Sequence, residues 1–330
     1  MKRPTAIALM LVALSLPAGS LAEDKDIPTG CSFESFAFGE GERAYILCVP
    51  EPVPRGALPV VMGFHGGVGV PEAWMLRFPF HELGNEAGFV TLYMAQACRS
   101  PDDIRCDRRE RIGWNVGKPG AEARAQDHDY IRAVATRLST VHGLEIDRDR
   151  IFGTGHSLGG IYIYSVACDM PGFFAAIGPI SAPPTDATCE PRPGTNIYHV
   201  HGTLDPNVPF DTGCCSASQK FPGSSAYLAG CDHRPLCANP VNWWPPVRSG
   251  DHPYAQVTGL DAFAARGLNC KGDPQVSGQT EGVTCLAWEC PAGRAVEACL
   301  IHRGNHRLEE LDKVLNIRRH LWDRFSGRTR

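Results

Sequence analysis

The chain has 330 residues, 43% of them hydrophobic, and a formal net charge of −4 at pH 7. A chain of this size can bury a large core in a single domain. Because its 32 basic side chains do not outnumber the 36 acidic ones, the charge balance argues against nucleic acid or an anionic membrane as the partner.

The N-terminus predicts a secretory signal over residues 1–22. Lys2 and Arg3 precede an apolar stretch at 6–16, and small residues follow it, which is the arrangement of a cleaved signal peptide. The stretch is too short for a membrane-spanning helix. Its removal leaves 30 basic and 36 acidic side chains, a net charge of −6. We therefore expect a secreted protein, periplasmic or extracellular, with one folded domain over 23–330.

All 14 cysteines lie beyond the predicted signal. An even number of cysteines in an exported chain predicts disulfides rather than zinc ligands, so we expect no metal. The spacings of Cys285 with Cys290 and of Cys231 with Cys237 also differ from those of zinc knuckles. The pairings that proximity favours are Cys31 with Cys48, Cys98 with Cys106, and Cys168 with Cys189; adjacent Cys214 and Cys215 cannot easily bond to each other.

Strand and helix signals alternate along the chain. This alternation predicts an α/β fold, with a mostly parallel sheet covered by helices on both faces. The region 211–250 interrupts it with four cysteines and a Trp-Trp-Pro-Pro run, and predicts a disulfide-rich insertion over the carboxyl edge of the sheet. The predicted strands are 44–49, 58–64, 89–95, 151–154, 174–180, 196–201 and 299–302, and the predicted helices are 127–142, 161–168 and 308–325.

The segment Gly155-His156-Ser157-Leu158-Gly159 stands between an apolar strand and an apolar helix. The pattern G-x-S-x-G at such a junction is typical of a nucleophile elbow, in which the serine lies on a strained turn. Because Gly155 and Gly159 have no side chains, the strand and the helix can approach each other closely at this turn. Ser157 is therefore the predicted nucleophile, and the amide of Leu158 is a predicted donor to an oxyanion.

A serine nucleophile needs a base and a carboxylate that orients the base, and in this fold type they follow in the order Ser, acid, His. Asp205 follows the strand 196–201 and is the predicted acid, with Asp211 as the fallback. His306 lies between the last strand and the last helix and is the predicted base. His302 is the alternative base.

A second oxyanion donor should come from the loop after the strand 58–64. His65-Gly66-Gly67 offers unhindered amides there; we favour that of Gly67, with Gly66 left open. Aromatic faces pack well on sugars and on other rings. Trp114, Trp243 and Trp244 are therefore candidate substrate contacts, although core or lid packing explains each of them as well. His156 beside the nucleophile is a further candidate, with packing of the nucleophile elbow as the alternative.

Several separated motifs carry a family resemblance. They are PVVMGFHGG at 59–67, DHDYIRAV at 127–134, RIFGTGHSLGG at 150–160, HGTLDPNVPF at 201–210 and the Gly304-Asn305-His306 loop. In order and spacing the chain resembles the secreted esterases that include polyhydroxybutyrate depolymerases and single-domain feruloyl esterases. The resemblance implies an α/β-hydrolase fold, a triad of Ser157, Asp205 and His306, and ester hydrolysis without a cofactor. It also implies a bridge between Cys270 and Cys290.

In that group the base usually lies in a longer glycine run that is followed by a Trp-Pro pair. The chain departs from the group because the sequence around His306 has neither. With the unusual insertion at 211–250, this favours feruloyl or other short or aromatic acyl esters on carbohydrate over polyester. The predicted partner is thus a small or polymeric ester. The alternatives are a polyhydroxyalkanoate depolymerase, an exported serine peptidase, and a cystine-bonded binding protein that has lost activity.

Overall fold

The computed structural model describes residues 27–67, 69–100, 112–116, 122–182, 195–208 and 267–327. The predicted signal at 1–22 and the insertion at 211–250 lie outside these residues. So do several of the candidate residues, namely Cys106, Cys189, Asp211, Trp243 and Trp244.

One large sheet organises the described residues. Its strand order is β1-β2-β4-β3-β5-β6-β7-β10-β9-β8. The six central strands, from β4 to β10, run parallel, and antiparallel pairs flank them on both sides. The strands are β1 (Cys31–Phe38), β2 (Gly41–Cys48), β3 (Leu58–Phe64), β4 (Val90–Met94), β5 (Ile146–His156), β6 (Ala176–Ile180), β7 (Asn196–Gly202), β8 (Lys271–Gln279), β9 (Val283–Glu289) and β10 (Val296–Ile301).

Helices cover both faces of the sheet. Helices α3 and α4 pack into one hydrophobic core, and α1, α2, α5 and α6 pack into the other. The helices are α1 (Pro71–Arg77), α2 (Phe80–Ala87), α3 (Glu122–Thr140), α4 (Leu158–Asp169), α5 (Leu308–Leu315) and α6 (Ile317–Phe325). None of these helices is long and apolar enough to cross a lipid bilayer.

The continuous apolar runs became central strands. Every residue of β3 and β4 is buried, as expected of strands that are covered on both faces. The mostly parallel α/β architecture was therefore correctly predicted. The sequence did not reveal the edge strands β1 and β8, because most of their residues are half-buried or exposed and carry a weaker apolar signal.

The predicted final helix is two helices. Asn316 ends α5 in the left-handed conformation, with φ 51°, and its side chain accepts a hydrogen bond from the amide of Arg319 in α6. Asparagine tolerates this conformation better than most residues. Within α5, Leu308 and Leu311 are buried, and Val314 is 53% exposed.

Three disulfides lie within the described residues. Cys31–Cys48 joins β1 to β2, and Cys270–Cys290 joins the ends of β8 and β9. Both pairings were predicted and are confirmed. Cys285–Cys299 joins β9 to β10 and was not anticipated. Cys98 and Cys168 are also disulfide-bonded, but the partners predicted for them are outside the described residues.

Loss of the Cys285–Cys299 bridge should weaken the fold. We expect the double variant Cys285→Ala/Cys299→Ala to lose about 3 kcal/mol of unfolding free energy, because the closed loop of this size no longer restricts the unfolded chain. Urea unfolding of the variant and the parent measures the difference. An unchanged midpoint at equal slope would contradict the prediction. The Cys31→Ala/Cys48→Ala variant is the comparison. It removes a bridge of similar sequence separation that joins β1 to β2 on the opposite side of the sheet.

Candidate active site

Four parallel strands end at the same edge of the sheet, and the candidate residues follow them. The loop after β3 carries Gly66 and Gly67, and Ser157 follows β5. Asp205 follows β7, and His306 follows β10. The carboxyl edge of a parallel sheet is where open α/β proteins place their ligand sites.

Ser157 lies on a strained turn between β5 and α4. Its φ of 54° and ψ of −123° fall in a region that L residues rarely occupy. The flanking glycines are required by close contacts. A Cβ on Gly155 would lie 2.6 Å from the carbonyl carbon of Gly159, and a Cβ on Gly159 would lie 2.2 Å from the carbonyl oxygen of Phe64. The turn is therefore as tight as the sequence motif predicts.

The loop after β3 lies against this turn. A Cβ on Gly66 would be 3.3 Å from the Cβ of Ser157, and one on Gly67 would be 3.8 Å from Cδ2 of Leu158. Gly66 also accepts a hydrogen bond from the amide of Gly69 at 3.3 Å. The amide of Leu158 stands in the first turn of α4, where amides have no acceptor within the helix. Both predicted oxyanion donors thus belong to segments that adjoin Ser157.

The acid and base loops are interlocked. A Cβ on Gly202 would lie 2.5 Å from the carbonyl carbon of Gly304, so neither position has room for a side chain. The amide of Leu204 donates to the carbonyl of Gly304 at 2.8 Å. The amide of Arg303 donates to Oγ1 of Thr203 at 2.9 Å. These contacts fix the two loops relative to each other.

The interlocked loops bring Asp205 and His306 together. Oδ2 of Asp205 lies 2.6 Å from Nδ1 of His306, and the carboxylate is fully buried. Its other oxygen accepts the amides of Asn207 and Val208, both at 2.9 Å. A carboxylate can only accept here, so Nδ1 of His306 carries the proton and Nε2 is left free to act as a base.

Asp205 is held in its ionised form. Burial alone would raise the pKa of Asp205, but hydrogen bonds from His201 and His306 outweigh burial and hold this pKa below its usual range. The carboxylate is therefore negative at any pH where a histidine could serve as a base.

The alternative base, His302, lies elsewhere. Its Nε2 is 2.9 Å from Oγ1 of Thr284, and its Nδ1 is 3.1 Å from the carbonyl oxygen of Glu281. These contacts direct the ring toward the antiparallel side of the sheet, away from Asp205. The alternative acid, Asp211, is outside the described residues.

Ser157 and His306 line one cavity of about 440 Å³. Gly66 and Gly67 form part of its wall. Helix α1 contributes Trp74 and Arg77, which sequence reasoning did not identify. Their helix has only seven residues, so it gives no helical periodicity from which a cavity-facing side could be read.

His156 connects the nucleophile strand to the base loop. Its Nε2 donates to the carbonyl oxygen of His306 at 2.8 Å, and the two rings lie 4.6 Å apart. Burial, helped by the neighbouring His306, lowers the pKa of His156 to about 3. The ring is therefore neutral at working pH. It lines the cavity, as expected for a substrate contact, and it also supports the base.

Replacement of His156 should test this support. We expect His156→Phe to lower kcat on the order of tenfold, because the ring stays but the carbonyl oxygen of His306 loses its donor. The shape of the pH profile should not change, since His156 is neutral throughout. Steady-state kinetics from pH 5 to 9 measures both. His156→Gln, which retains an N–H donor, is the matched variant; equal losses in both variants would contradict this account.

Trp114 lies in the core, 3% exposed. Its indole Nε1 donates to the carbonyl oxygen of His65 at 2.9 Å. The next residue, Asn115, binds the carboxylate of Asp127 in α3 through its amide and its side chain. Trp114 does not line the cavity described above. This position does not support a contact with substrate; Trp114 instead supports the loop that carries Gly66 and Gly67.

Among the described residues, one cluster is dense enough in donor atoms for a metal ion, namely Cys285, Glu297 and Cys299. Its two cysteines form a disulfide with each other, so neither offers a thiolate ligand.

No protein-family model matches the chain. It is 23% identical over 164 residues to the provisionally named esterase NocK of Nocardia uniformis subsp. tsuyamanensis, which covers 48% of this chain and 43% of that protein. It is 21% identical over 167 residues to the bifunctional acetylxylan esterase/xylanase XynS20E of Neocallimastix patriciarum, covering 51% and 22%. The matches thus span less than half the length of these relatives.

Among solved structures, the acetyl xylan esterase of Aspergillus awamori superposes with a TM-score of 0.53 at 13% identity. The superposition covers 87% of this chain and 98% of that one. At this identity the likeness concerns the fold alone. The chain has an α/β-hydrolase fold, as its motifs predicted.

Proposed function

We propose that the protein is a serine carboxylesterase with Ser157, Asp205 and His306 as its catalytic residues. The observation that carries the proposal is the 2.6 Å contact between buried Asp205 and His306, together with the cavity that His306 and Ser157 both line. The similarity to proteins named as esterases supports the same reaction class.

In the proposed reaction, Nε2 of His306 takes the proton of Ser157 as Oγ attacks the ester carbonyl. Asp205 stabilises the imidazolium that forms. The amides of Leu158 and Gly67 bind the oxyanion of the tetrahedral intermediate. The intermediate collapses to an acyl-enzyme when His306 returns the proton to the leaving alcohol. Water, activated by the same histidine, then releases the acid.

The proposed substrates are feruloyl or other short or aromatic acyl esters on carbohydrate. One named relative is an acetylxylan esterase, and a cavity of about 440 Å³ is within the size range of small-ligand sites. The disulfides support an oxidising location, so we also propose that the protein is exported and that 23–330 forms one catalytic domain.

A hydrolysis panel tests the proposed specificity. Methyl ferulate, acetylated xylan, polyhydroxybutyrate and 4-nitrophenyl esters of increasing chain length are compared at equal enzyme concentration. We expect the carbohydrate and aromatic esters to give the highest kcat/KM. Faster release of polyhydroxybutyrate oligomers would favour the depolymerase alternative. Higher turnover of an aminoacyl anilide than of any ester would favour a peptidase.

Labelling with a fluorophosphonate separates an enzyme from a binding protein. We expect one label per chain on Ser157, because an activated serine attacks the phosphorus and loses its proton to the base while fluoride departs. The absence of labelling at neutral pH would favour the inactive alternative.

A further inference from the structure

Behind Asp205 lies a line of buried polar side chains that the proposed reaction does not use. Nε2 of His201 is 3.5 Å from Oδ2 of Asp205 and 2.9 Å from the carbonyl oxygen of Val208. Nδ1 of His201 is 3.1 Å from Nε2 of His199. Nδ1 of His199 is 2.8 Å from the hydroxyl of Tyr164. The three side chains are at most 1% exposed.

The sequence places these groups together for a simple reason. Alternate residues of a strand share a face, so His199 and His201 both point from β7 toward α4, which carries Tyr164. The alternating residues Tyr198 and Val200 belong to the core on the opposite face of the sheet. Buried polar groups of this kind are costly unless they are hydrogen-bonded. The line therefore links the nucleophile helix to the acid loop.

The contact with Val208 defines which nitrogen of His201 carries a proton. The carbonyl oxygen of Val208 can only accept, so Nε2 of His201 is protonated. Burial, helped by the neighbouring His201, holds the pKa of His199 well below its usual range, and burial raises the pKa of Tyr164 well above its own. A neutral His199 that accepts from the Tyr164 hydroxyl at Nδ1 must donate from Nε2, to Nδ1 of His201.

We infer that Tyr164 and His199 are positioning residues, which present an N–H group to Nδ1 of His201, keep the proton of His201 on Nε2 and so leave the charge of Asp205 available to His306. The alternative is a proton on Nδ1 of His201. It would create an imidazolium beside Asp205 that competes with the imidazolium of His306. His199 prevents it by presenting an N–H group to that nitrogen, and the Tyr164 hydroxyl fixes the orientation. This inference rests on the proposed function.

The other ionisable groups that face this line are few within the described residues. Asp205 and His306 come from the two interlocked loops, and the neutral ring of His156 comes from β5. The Tyr164 hydroxyl stands at the end of the line farthest from Asp205. Its removal therefore alters the hydrogen bonds of the line without removing a group that contacts Asp205 or His306.

The variant Tyr164→Phe tests the inference, with Tyr162→Phe as its control. Tyr162 is fully buried in the same helix, and its hydroxyl has no hydrogen-bond partner among the described residues. We expect Tyr164→Phe to lower kcat on the order of tenfold and to move the acid limb of the kcat/KM profile to lower pH. Without the hydroxyl, His199 no longer presents its N–H group to Nδ1 of His201, and that nitrogen can take a proton. The resulting imidazolium partly neutralises Asp205, which then stabilises the imidazolium of His306 less. Tyr162→Phe should leave both unchanged.

The tautomers are measured independently of turnover, by ¹⁵N NMR of histidine-labelled protein at pH 7. In the parent protein we expect Nε2 protonated and Nδ1 unprotonated in both His199 and His201, and a change at His199 in Tyr164→Phe. A proton on Nδ1 of His199 in the parent would overturn the inference, whether or not the variant folds. So would an unchanged pH profile in folded Tyr164→Phe, or equal losses in both variants. Lack of esterase activity in the parent would instead overturn the proposed function, and the NMR result would still be interpretable.

Discussion

Ser157→Ala should reduce kcat for 4-nitrophenyl acetate on the order of 10⁵-fold, with little change in KM. The substitution removes the atom that forms the acyl-enzyme, and no neighbouring side chain replaces it. The loss should be complete in the fluorophosphonate assay as well. Both are measured on purified protein, with the thermal midpoint as a check on folding.

The control for this substitution is Ser165→Ala. Ser165 is a buried serine in α4, and its hydroxyl donates to the carbonyl oxygen of Tyr162 at 2.7 Å. We expect its removal to leave kcat within about twofold, since this hydrogen bond is within one helix and contributes about 1 kcal/mol to stability at most. Comparable activity in Ser157→Ala and the parent would disprove the nucleophile assignment.

The strain at Ser157 adds a second expectation. A residue with φ 54° and ψ −123° occupies backbone space that glycine enters at little cost. Ser157→Gly should therefore be inactive, yet more stable than the parent by about 1 kcal/mol. Urea unfolding measures the gain. A less stable glycine variant would show that the serine side chain, and not the backbone, determines the conformation of this turn.

Asp205→Asn should reduce kcat by about 10³- to 10⁴-fold through the wrong histidine tautomer. The amides of Asn207 and Val208 both donate to one carboxylate oxygen. They will therefore select the carbonyl oxygen of the introduced asparagine. Its NH₂ group then faces Nδ1 of His306, which must accept. The proton moves to Nε2, and the ring can no longer take a proton from Ser157.

Steady-state kinetics and ¹⁵N NMR of His306 measure the two parts of this prediction. The control is Asp147→Asn, because Asp147 pairs with Arg150 near the solvent, at the start of β5 and away from the site. Exposed pairs contribute little, so its kcat should not change. If Asp205→Asn retained more than a tenth of the parent activity, Asp205 would not be the orienting acid.

The sequence was sufficient for the parts of this protein that depend on neighbouring residues. The G-x-S-x-G motif predicts the turn at Ser157, because the steric demand of the turn is met by glycines two residues away on either side. The buried runs at 58–64 and 151–154 predict parallel strands, since a strand covered on both faces must be apolar throughout. Chain order, together with a position after a predicted strand, nominated Asp205 and His306 and left Asp211 and His302 as alternatives.

Only the tertiary structure decided which distant residues meet. The glycine pair Gly202 and Gly304 has no signal in the sequence as a contact, yet it brings the acid and base loops together. From the sequence, Trp114 was a candidate for either a substrate contact or core packing, and its burial makes it a support for the loop after β3. His199 and His201 looked like ordinary strand residues. Their line to Tyr164 exists because the long side chain of Tyr164 reaches from α4 to His199 of β7, and the sequence around either element carries no record of this contact.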